Sequence, residues 1–213
     1  MVTVRVPATT ANLGPGFDTL GLALALYNTL TFEELAEGLY FEGVDPEYAT
    51  AENLAVVAYK AVLSKLGLPM PGLRISVQAE IPICRGLGSS AALIAAGAAG
   101  ANANHGSPLT RAELLAVCND IEGHPDNLAP AIFGGLVASF VENERPYIAR
   151  YSLHKRLRCT ALIPDFQLST HLARGVLPKE VPYGDAIFNV SRTAVLLRAL
   201  EEGDTETISV SLR

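Results

Sequence analysis

The sequence has few cysteines, little positive charge and no hydrophobic run long enough to cross a bilayer. Its three cysteines, Cys84, Cys118 and Cys159, are odd in number and widely spaced, which argues against a disulfide framework or a metal site and indicates reduced thiols in a cytoplasmic protein. The most apolar predicted helix, residues 89–102, is too short and too rich in small residues to be membrane-spanning. No charged segment followed by an apolar one opens the chain, so a secretory signal is not expected.

Basic residues are outnumbered by acidic ones, with 16 Lys and Arg against 22 Asp and Glu and a formal net charge of −6. The one basic stretch, residues 150–158, is more typical of a solvated strand edge than of a nucleic-acid site. No nucleic-acid partner is therefore expected. A hydrophobic content of 49% and a mean hydropathy of +0.27 indicate a globular protein with a sizeable core.

A glycine-rich turn is the most informative segment of the chain. It joins a predicted strand to an alanine-rich predicted helix, where unpaired backbone N–H groups and the positive end of the helix dipole attract an anion. The pattern predicts a phosphate-binding loop without a lysine, since neither a Walker A ending nor a G-x-G-x-x-G pattern is present. The simpler alternative is a helix cap. The segment runs through Pro82, Ile83, Cys84, Arg85, Gly86, Leu87, Gly88, Ser89, Ser90, Ala91 and Ala92.

Two further segments are dense in polar side chains. In the first, residues 4–18, a predicted strand leads into a constrained loop that carries Asn12 and Asp18, which suit a small ligand with ammonium and hydroxyl groups. The second, residues 121–135, holds Glu122, His124 and Asp126 close together, and Glu122 with a serine would suit Mg²⁺. The alternatives are an Asx-turn loop in the first case and a polar helix terminus in the second.

Strand and helix patterns alternate irregularly along the chain, which favours an α+β fold over a doubly wound sheet. A second unit is predicted to begin near Tyr147, which gives domains of 1–146 and 147–213. Strands are predicted at 1–7, 73–81, 134–141 and 157–164, and helices at 53–66, 89–104, 110–122, 127–132 and 184–202. Loops or turns are predicted at 8–18 and 142–146, a hairpin or loop at 36–48, and either strand or helix at 20–32. The 110–122 helix carries the sequence of a capping box, Thr110 and Glu113.

Taken together, these three segments resemble the GHMP kinases, and the match covers most of the chain. The glycine-rich turn matches the superfamily signature, while residues 4–18 and the Gly123-to-Asn127 segment resemble homoserine kinases in particular. A fourth stretch, residues 168–178, is similar to that family as well. The resemblance implies the GHMP kinase fold: an N-terminal domain similar to ribosomal protein S5, followed by a ferredoxin-like α/β sandwich domain that is incomplete here.

The resemblance also implies an activity, namely transfer of the ATP γ-phosphoryl group to the side-chain hydroxyl of L-homoserine in threonine biosynthesis. Residues 82–92 would then bind the ATP phosphates, Asn53 would lie near adenine, and Ser90 and Glu122 would coordinate Mg²⁺. The substrate would be surrounded by Asn12, Asp18, His124 and Asp126, with Arg174 on its carboxylate. Asp126 is expected to position the substrate first and to act as a base second. A homodimer in the cytoplasm is also implied.

The chain departs from the family pattern after residue 184, where neither a further glycine-rich motif nor a second substrate arginine is found. This is expected if the chain ends before the C-terminal domain is complete. Two alternatives stay open: a GHMP kinase for another small alcohol, and a non-catalytic ATP-binding protein of this fold.

Overall fold

The computed structural model describes residues 1–163, 165 and 175–213. Within that part of the chain, six strands form one mixed sheet, and α-helices cover it. The strands are β1 (Val2–Ala11), β2 (Leu20–Leu35), β3 (Leu39–Glu42), β4 (Gly72–Gln78), β5 (Leu136–Glu142) and β6 (Arg145–Tyr151). The helices are α1 (Leu54–Lys65), α2 (Ser89–Asn104), α3 (Arg111–Glu122), α4 (Leu128–Phe133), α5 (Tyr183–Glu202) and α6 (Thr205–Ser211).

The long strand β2 organises the sheet. Its register with β1 is antiparallel from Val2↔Phe32 to Ala11↔Gly21. Two strands pair with β2 at different ends: β4 with residues 29–35 and β5 with residues 20–22. Between them, Asn28 accepts the backbone N–H groups of Glu80 and Ile81 at 2.9 Å each. The chain that leaves β4 is therefore held beside β2 as it enters the glycine-rich turn.

Helix α2 lies at the centre of the hydrophobic core, packed against α1, α3 and β1. Its small residues permit this close packing. A Cβ atom on Gly97 would overlap the carbonyl oxygen of Ala55 on α1, and one on Gly100 would collide with the ring of Phe32. Because no bulkier residue fits at these points, the start of α2 is fixed in position relative to the sheet.

The C-terminal helices contact the loop between β1 and β2. The hydroxyl of Thr193 on α5 lies 3.0 Å from the carbonyl oxygen of Pro15 and 2.7 Å from that of Asn189 in its own helix, and the side chain of Leu212 lies against Gly14. By contrast, the first half of α5 exposes apolar side chains, with Tyr183 83% and Val190 73% accessible. Of the described helices, none combines the length and the apolar character that a membrane span requires.

Most elements predicted from the sequence are confirmed, including α2 with its two ends and the capping box of α3, in which Thr110 and Glu113 bond each other reciprocally. Three predictions are wrong. Residues 8–11 continue β1 because they pair with β2, residues 39–42 form a strand parallel to β4 and no hairpin, and residues 157–163 form no strand. The predicted boundary at 146/147 falls inside β6, which pairs with β5 along its length. The division into two domains stays a prediction.

Candidate active site

A cavity of about 810 Å³ opens between the glycine-rich turn, the start of α1 and the segment after α3. Most residues that the sequence analysis assigns to a site line this one cavity. They are Asn12, Asn53, Ile83, Cys84, Arg85, Gly86, Gly88, Ser89, Ser90, Glu122, His124 and Asp126. Residues far apart in the chain are thus brought together around a space of the size that small-molecule ligands occupy.

The glycine loop, residues 82–88, ends at the N-cap of α2. Gly88 has a left-handed backbone (φ 66°) and no side chain to cap the helix, so the first N–H groups of α2 face the cavity without a side-chain cap. A Cβ atom at this position would overlap the hydroxyl oxygen of Thr9. The backbone N–H of Thr9 also donates to the carbonyl oxygen of Leu87 at 3.1 Å, which anchors the loop to β1. This geometry suits an anionic group.

Ser90 and Glu122 meet at one wall of the cavity. The hydroxyl of Ser90, in the first turn of α2, donates to Oε2 of Glu122 at 2.6 Å, and Glu122 is the last residue of α3. One hydroxyl and one carboxylate are hard oxygen donors that fit Mg²⁺, which commonly binds one or two carboxylates plus substrate phosphates. In the described part of the chain there is no cluster of three or more His, Cys, Asp and Glu side chains, so phosphates and water would supply the remaining ligands.

Three polar residues near the start of α4 bond one another, and we call them the acceptor cluster: His124, Asp126 and Asn127. Oδ1 of Asp126 accepts from Nδ1 of His124 at 2.9 Å and from the backbone N–H of Asn127 at 2.8 Å. The Asp126 side chain is 1% exposed, and its Oδ2 has no hydrogen-bond partner among the described residues. A buried oxygen left in this state beside a cavity calls for a donor from a ligand, such as a hydroxyl or an ammonium.

Asn12 is the first residue of the loop that follows β1. It has a left-handed backbone (φ 56°), and its Oδ1 accepts the backbone N–H of Asp18 at 2.9 Å. Asn12 lines the cavity, whereas Asp18 is not among the lining residues. Asn12 and Asp18 are therefore joined in one turn, but of the two only Asn12 borders the cavity.

Asn53 caps α1 at the opposite wall. Its Oδ1 accepts the backbone N–H of Ala55 at 3.0 Å, and its Nδ2 donates to the carbonyl oxygen of Tyr48 at 2.9 Å. The side chain thereby ties the helix to the short 3₁₀ turn Pro46–Tyr48. A hydrogen bond to Glu47 and its negative charge raise the pKa of Tyr48, so this exposed phenol stays neutral at physiological pH.

Behind the site, burial and the nearby charge of Glu122 raise the pKa of the Cys118 thiol to about 12. This thiol is therefore protonated and unreactive at neutral pH. The three cysteines are free, as the sequence analysis predicts, and Cys84 on the glycine loop and Cys159 are exposed.

Comparisons with known proteins identify the family. A family model described as the GHMP kinases N-terminal domain matches residues 53–135. A homoserine kinase from Clostridium botulinum (strain Loch Maree) is 46% identical over all 213 residues, which cover 72% of its own length. The crystal structure of a homoserine kinase from Cytophaga hutchinsonii superposes with a TM-score of 0.81 at 26% identity, over 100% of this chain and 71% of the other. The chain belongs to the homoserine kinase family.

The GHMP kinase fold extends to more distant members. A phosphomevalonate kinase from Streptococcus pneumoniae superposes with a TM-score of 0.73 over the whole chain at 12% identity, which is a likeness of fold alone. The α+β prediction and the family resemblance are thus confirmed.

Some of the residues assigned by resemblance to homoserine kinases do not border the cavity. Ala91 and Ala92 are fully buried in the core, Leu87 is 6% exposed, and Pro82 is not a lining residue. Helix periodicity explains this outcome for the alanines, because successive residues of α2 point to different sides, and it is Ser89, Ser90 and Leu93 that turn toward the cavity. Arg174 and most of the stretch 168–178 lie outside the described residues.

Sequence reasoning gave no role to Thr9 or to Asn127, although Asn127 belongs to the segment that it singled out. Thr9, fully buried in β1, donates its hydroxyl to Oδ1 of Asn127 at 2.8 Å. Asn127 follows Asp126 directly, and this position could have indicated its role. Thr9 gave no such signal, because its partner lies 118 residues away in the chain.

Proposed function

We propose that this chain transfers the γ-phosphoryl group of ATP to the side-chain hydroxyl of L-homoserine and releases O-phospho-L-homoserine and ADP. The observation that carries the proposal is Asp126, which lines the same cavity as the uncapped start of α2 and whose buried Oδ2 has no partner among the described residues. The oxygen of Asp126 suits a hydroxyl, and the start of α2 suits phosphates. Membership in the homoserine kinase family supports the choice of acceptor.

In the proposed mechanism, backbone N–H groups of the glycine loop and of the first turn of α2 bind the phosphates of ATP. Ser90 and Glu122 would hold Mg²⁺, which, when bound, neutralises charge on the phosphates. Their separation of 2.6 Å lets both oxygens reach one ion. Phosphoryl transfer depends chiefly on positioning and charge neutralisation, and both groups act in that way.

Asp126 orients the acceptor. Its Oδ2 accepts the hydrogen of the homoserine hydroxyl, while His124 and Asn127 hold Oδ1 in place. The hydroxyl oxygen then attacks the γ-phosphorus, the bond from that phosphorus to the ADP oxygen breaks, and the hydroxyl proton passes to water. Because the transition state is loose, little basicity is required, and Asp126 acts first by positioning. Asn12 is proposed to bind the substrate too, and contact of Arg174 with the substrate carboxylate stays a prediction.

The test is a coupled assay of ADP release with ATP, Mg²⁺ and L-homoserine, with L-serine and mevalonate as alternative acceptors. We expect turnover with homoserine and a large loss of kcat in Asp126→Asn. Preferred turnover of mevalonate would point to a different kinase of this fold. ATP binding by calorimetry without turnover of any acceptor would instead favour a non-catalytic ATP-binding protein.

Mg²⁺ as the metal, the cytoplasmic location and the homodimer are also proposals, supported by the resemblance to the family. Light scattering on the purified chain would measure the oligomeric state. Replacing Mg²⁺ with Ca²⁺ in the same assay would test the preference for a small octahedral ion.

A further inference from the structure

Thr9 is a buried polar residue that contacts both the glycine loop and the acceptor cluster. Its backbone N–H donates to Leu87 of the glycine loop, and its side chain fills the space that a Cβ atom on Gly88 would need. Its hydroxyl donates to Oδ1 of Asn127 at 2.8 Å. Thr9 does not line the cavity itself, so any effect on the reaction must act through these neighbours.

The contact between Thr9 and Asn127 decides which way the Asn127 amide faces. Because Oδ1 accepts from Thr9, Nδ2 is turned toward Oδ1 of Asp126, 3.4 Å away. A reversed amide would bring two oxygen atoms together at the carboxylate and would leave the Thr9 hydroxyl facing a nitrogen that cannot accept. One of the donors on Oδ1 of Asp126, the side-chain amide of Asn127, thus depends on a hydroxyl of β1.

We propose that Thr9 is a positioning residue for phosphoryl transfer. Its hydroxyl fixes the Asn127 amide, which holds Oδ1 of Asp126 and leaves Oδ2 for the acceptor hydroxyl. The inference rests on the proposed function and deepens it. Since Thr9 also bonds the glycine loop, one residue sets the position of the phosphate side and the acceptor side relative to each other.

The test compares Thr9→Val, which removes the hydroxyl at nearly constant shape, with Thr9→Ser, which keeps it. Because the Asn127 amide loses the donor that fixes it, we expect Thr9→Val to lower kcat about 10- to 100-fold. Thr9→Ser should restore most of kcat, and the KM for ATP should change little. Thr3→Val is the matched control, since Thr3 bonds Thr31 at the far end of the same strand pair, and it should leave kcat unchanged.

A double-mutant cycle separates positioning from simple destabilisation. If Thr9 acts through Asn127, Thr9→Val should lower kcat much less in an Asn127→Ala background than in the wild type. Equal losses in both backgrounds, or wild-type kcat in Thr9→Val, would overturn the inference. Should Thr9→Val fail to fold, Thr9→Ala removes the same hydroxyl without adding bulk, and an unchanged kcat there has the same meaning. Absence of homoserine turnover in the wild type would instead refute the proposed function.

Discussion

Gly21 shows how closely the acceptor cluster packs against the sheet. A Cβ atom at this position of β2 would overlap the backbone carbonyl oxygen of Asp126 and approach the ring of Pro130. Neither atom belongs to a flexible side chain, so the segment that carries Asp126 would have to move away from β2.

We therefore expect Gly21→Ala to lower the free energy of unfolding by about 1–3 kcal/mol, as overpacking does, and to raise the KM for homoserine. Chemical denaturation and steady-state kinetics measure the two effects. Gly184→Ala is the control, because open space surrounds that position in α5, and it should leave both quantities nearly unchanged. A Gly21→Ala enzyme with wild-type stability and KM would contradict the packing argument.

A substitution at Glu122 that removes a single charge tests the proposed metal site. Glu122→Gln keeps the size of the side chain and an oxygen for the Ser90 hydroxyl, but it removes the negative charge that Mg²⁺ requires. We expect kcat to fall about 100-fold or more, because bound metal supplies several kcal/mol of transition-state stabilisation. The Mg²⁺ concentration needed for half-maximal rate should also rise.

The matched control is Asp120→Asn, which removes a carboxylate from an exposed position of the same helix, away from the cavity. Its Mg²⁺ titration should superpose on that of the wild type. A titration of Glu122→Gln that did the same would remove Glu122 from the metal site.

At the scale of single elements, the capping box of α3 ties stability to pH. The backbone N–H of Thr110 donates to Oε2 of Glu113 at 2.7 Å and its hydroxyl donates at 2.8 Å, and these bonds lower the pKa of Glu113 below its ordinary value of 4.5. A carboxylate with a lowered pKa stabilises the fold above its unfolded-state pKa, and this contribution is lost as the pH falls through the lower folded-state value.

The corresponding experiment follows the melting temperature from pH 7 to pH 3 for the wild type and for Glu113→Gln, whose side chain does not titrate. We expect the wild type to be more stable at pH 7 and the difference to narrow below about pH 4.5. Activity at pH 7 should be equal, because α3 presents Glu113 away from the cavity. A difference that stayed constant with pH would show that the charge of Glu113 has no part in capping.

How far the elements could be predicted depended on whether their signals were local. The ends of α2 and the capping box of α3 follow from residues within one turn, and they were predicted correctly. Strand β3 was missed because its partner, β4, lies some thirty residues further along the chain. The strand expected at 157–163 is absent because no described strand pairs with those residues. In the site, the residues that lie in sequence motifs could be named from the sequence. The place of Thr9 could not, because it depends on a tertiary contact.

At the scale of the whole molecule, the C-terminal helices support the loop that carries Asn12. Thr193 reaches the carbonyl oxygen of Pro15, and Leu212 packs on Gly14, so α5 and α6 restrain a loop far away in sequence. Part of the order of the candidate substrate side thus comes from the other end of the chain.

We expect Thr193→Val to raise the KM for homoserine several-fold, as the loss of one hydrogen bond of about 1 kcal/mol implies, with little change in the KM for ATP. Ser191→Ala is a suitable control, because the Ser191 hydroxyl bonds only the Phe188 carbonyl oxygen of its own helix among the described residues. Equal homoserine KM values in the two variants would argue against a restraint on the loop.

The exposed first half of α5 has a consequence for handling the protein in solution. Tyr183, Ile187 and Val190 present apolar surface to water within two turns of helix. Sulfate and similar salts strengthen association of such surfaces because they are excluded from the protein's hydration layer. This helix is therefore expected to lower the salt concentration at which the protein precipitates and to increase its retention on hydrophobic-interaction columns.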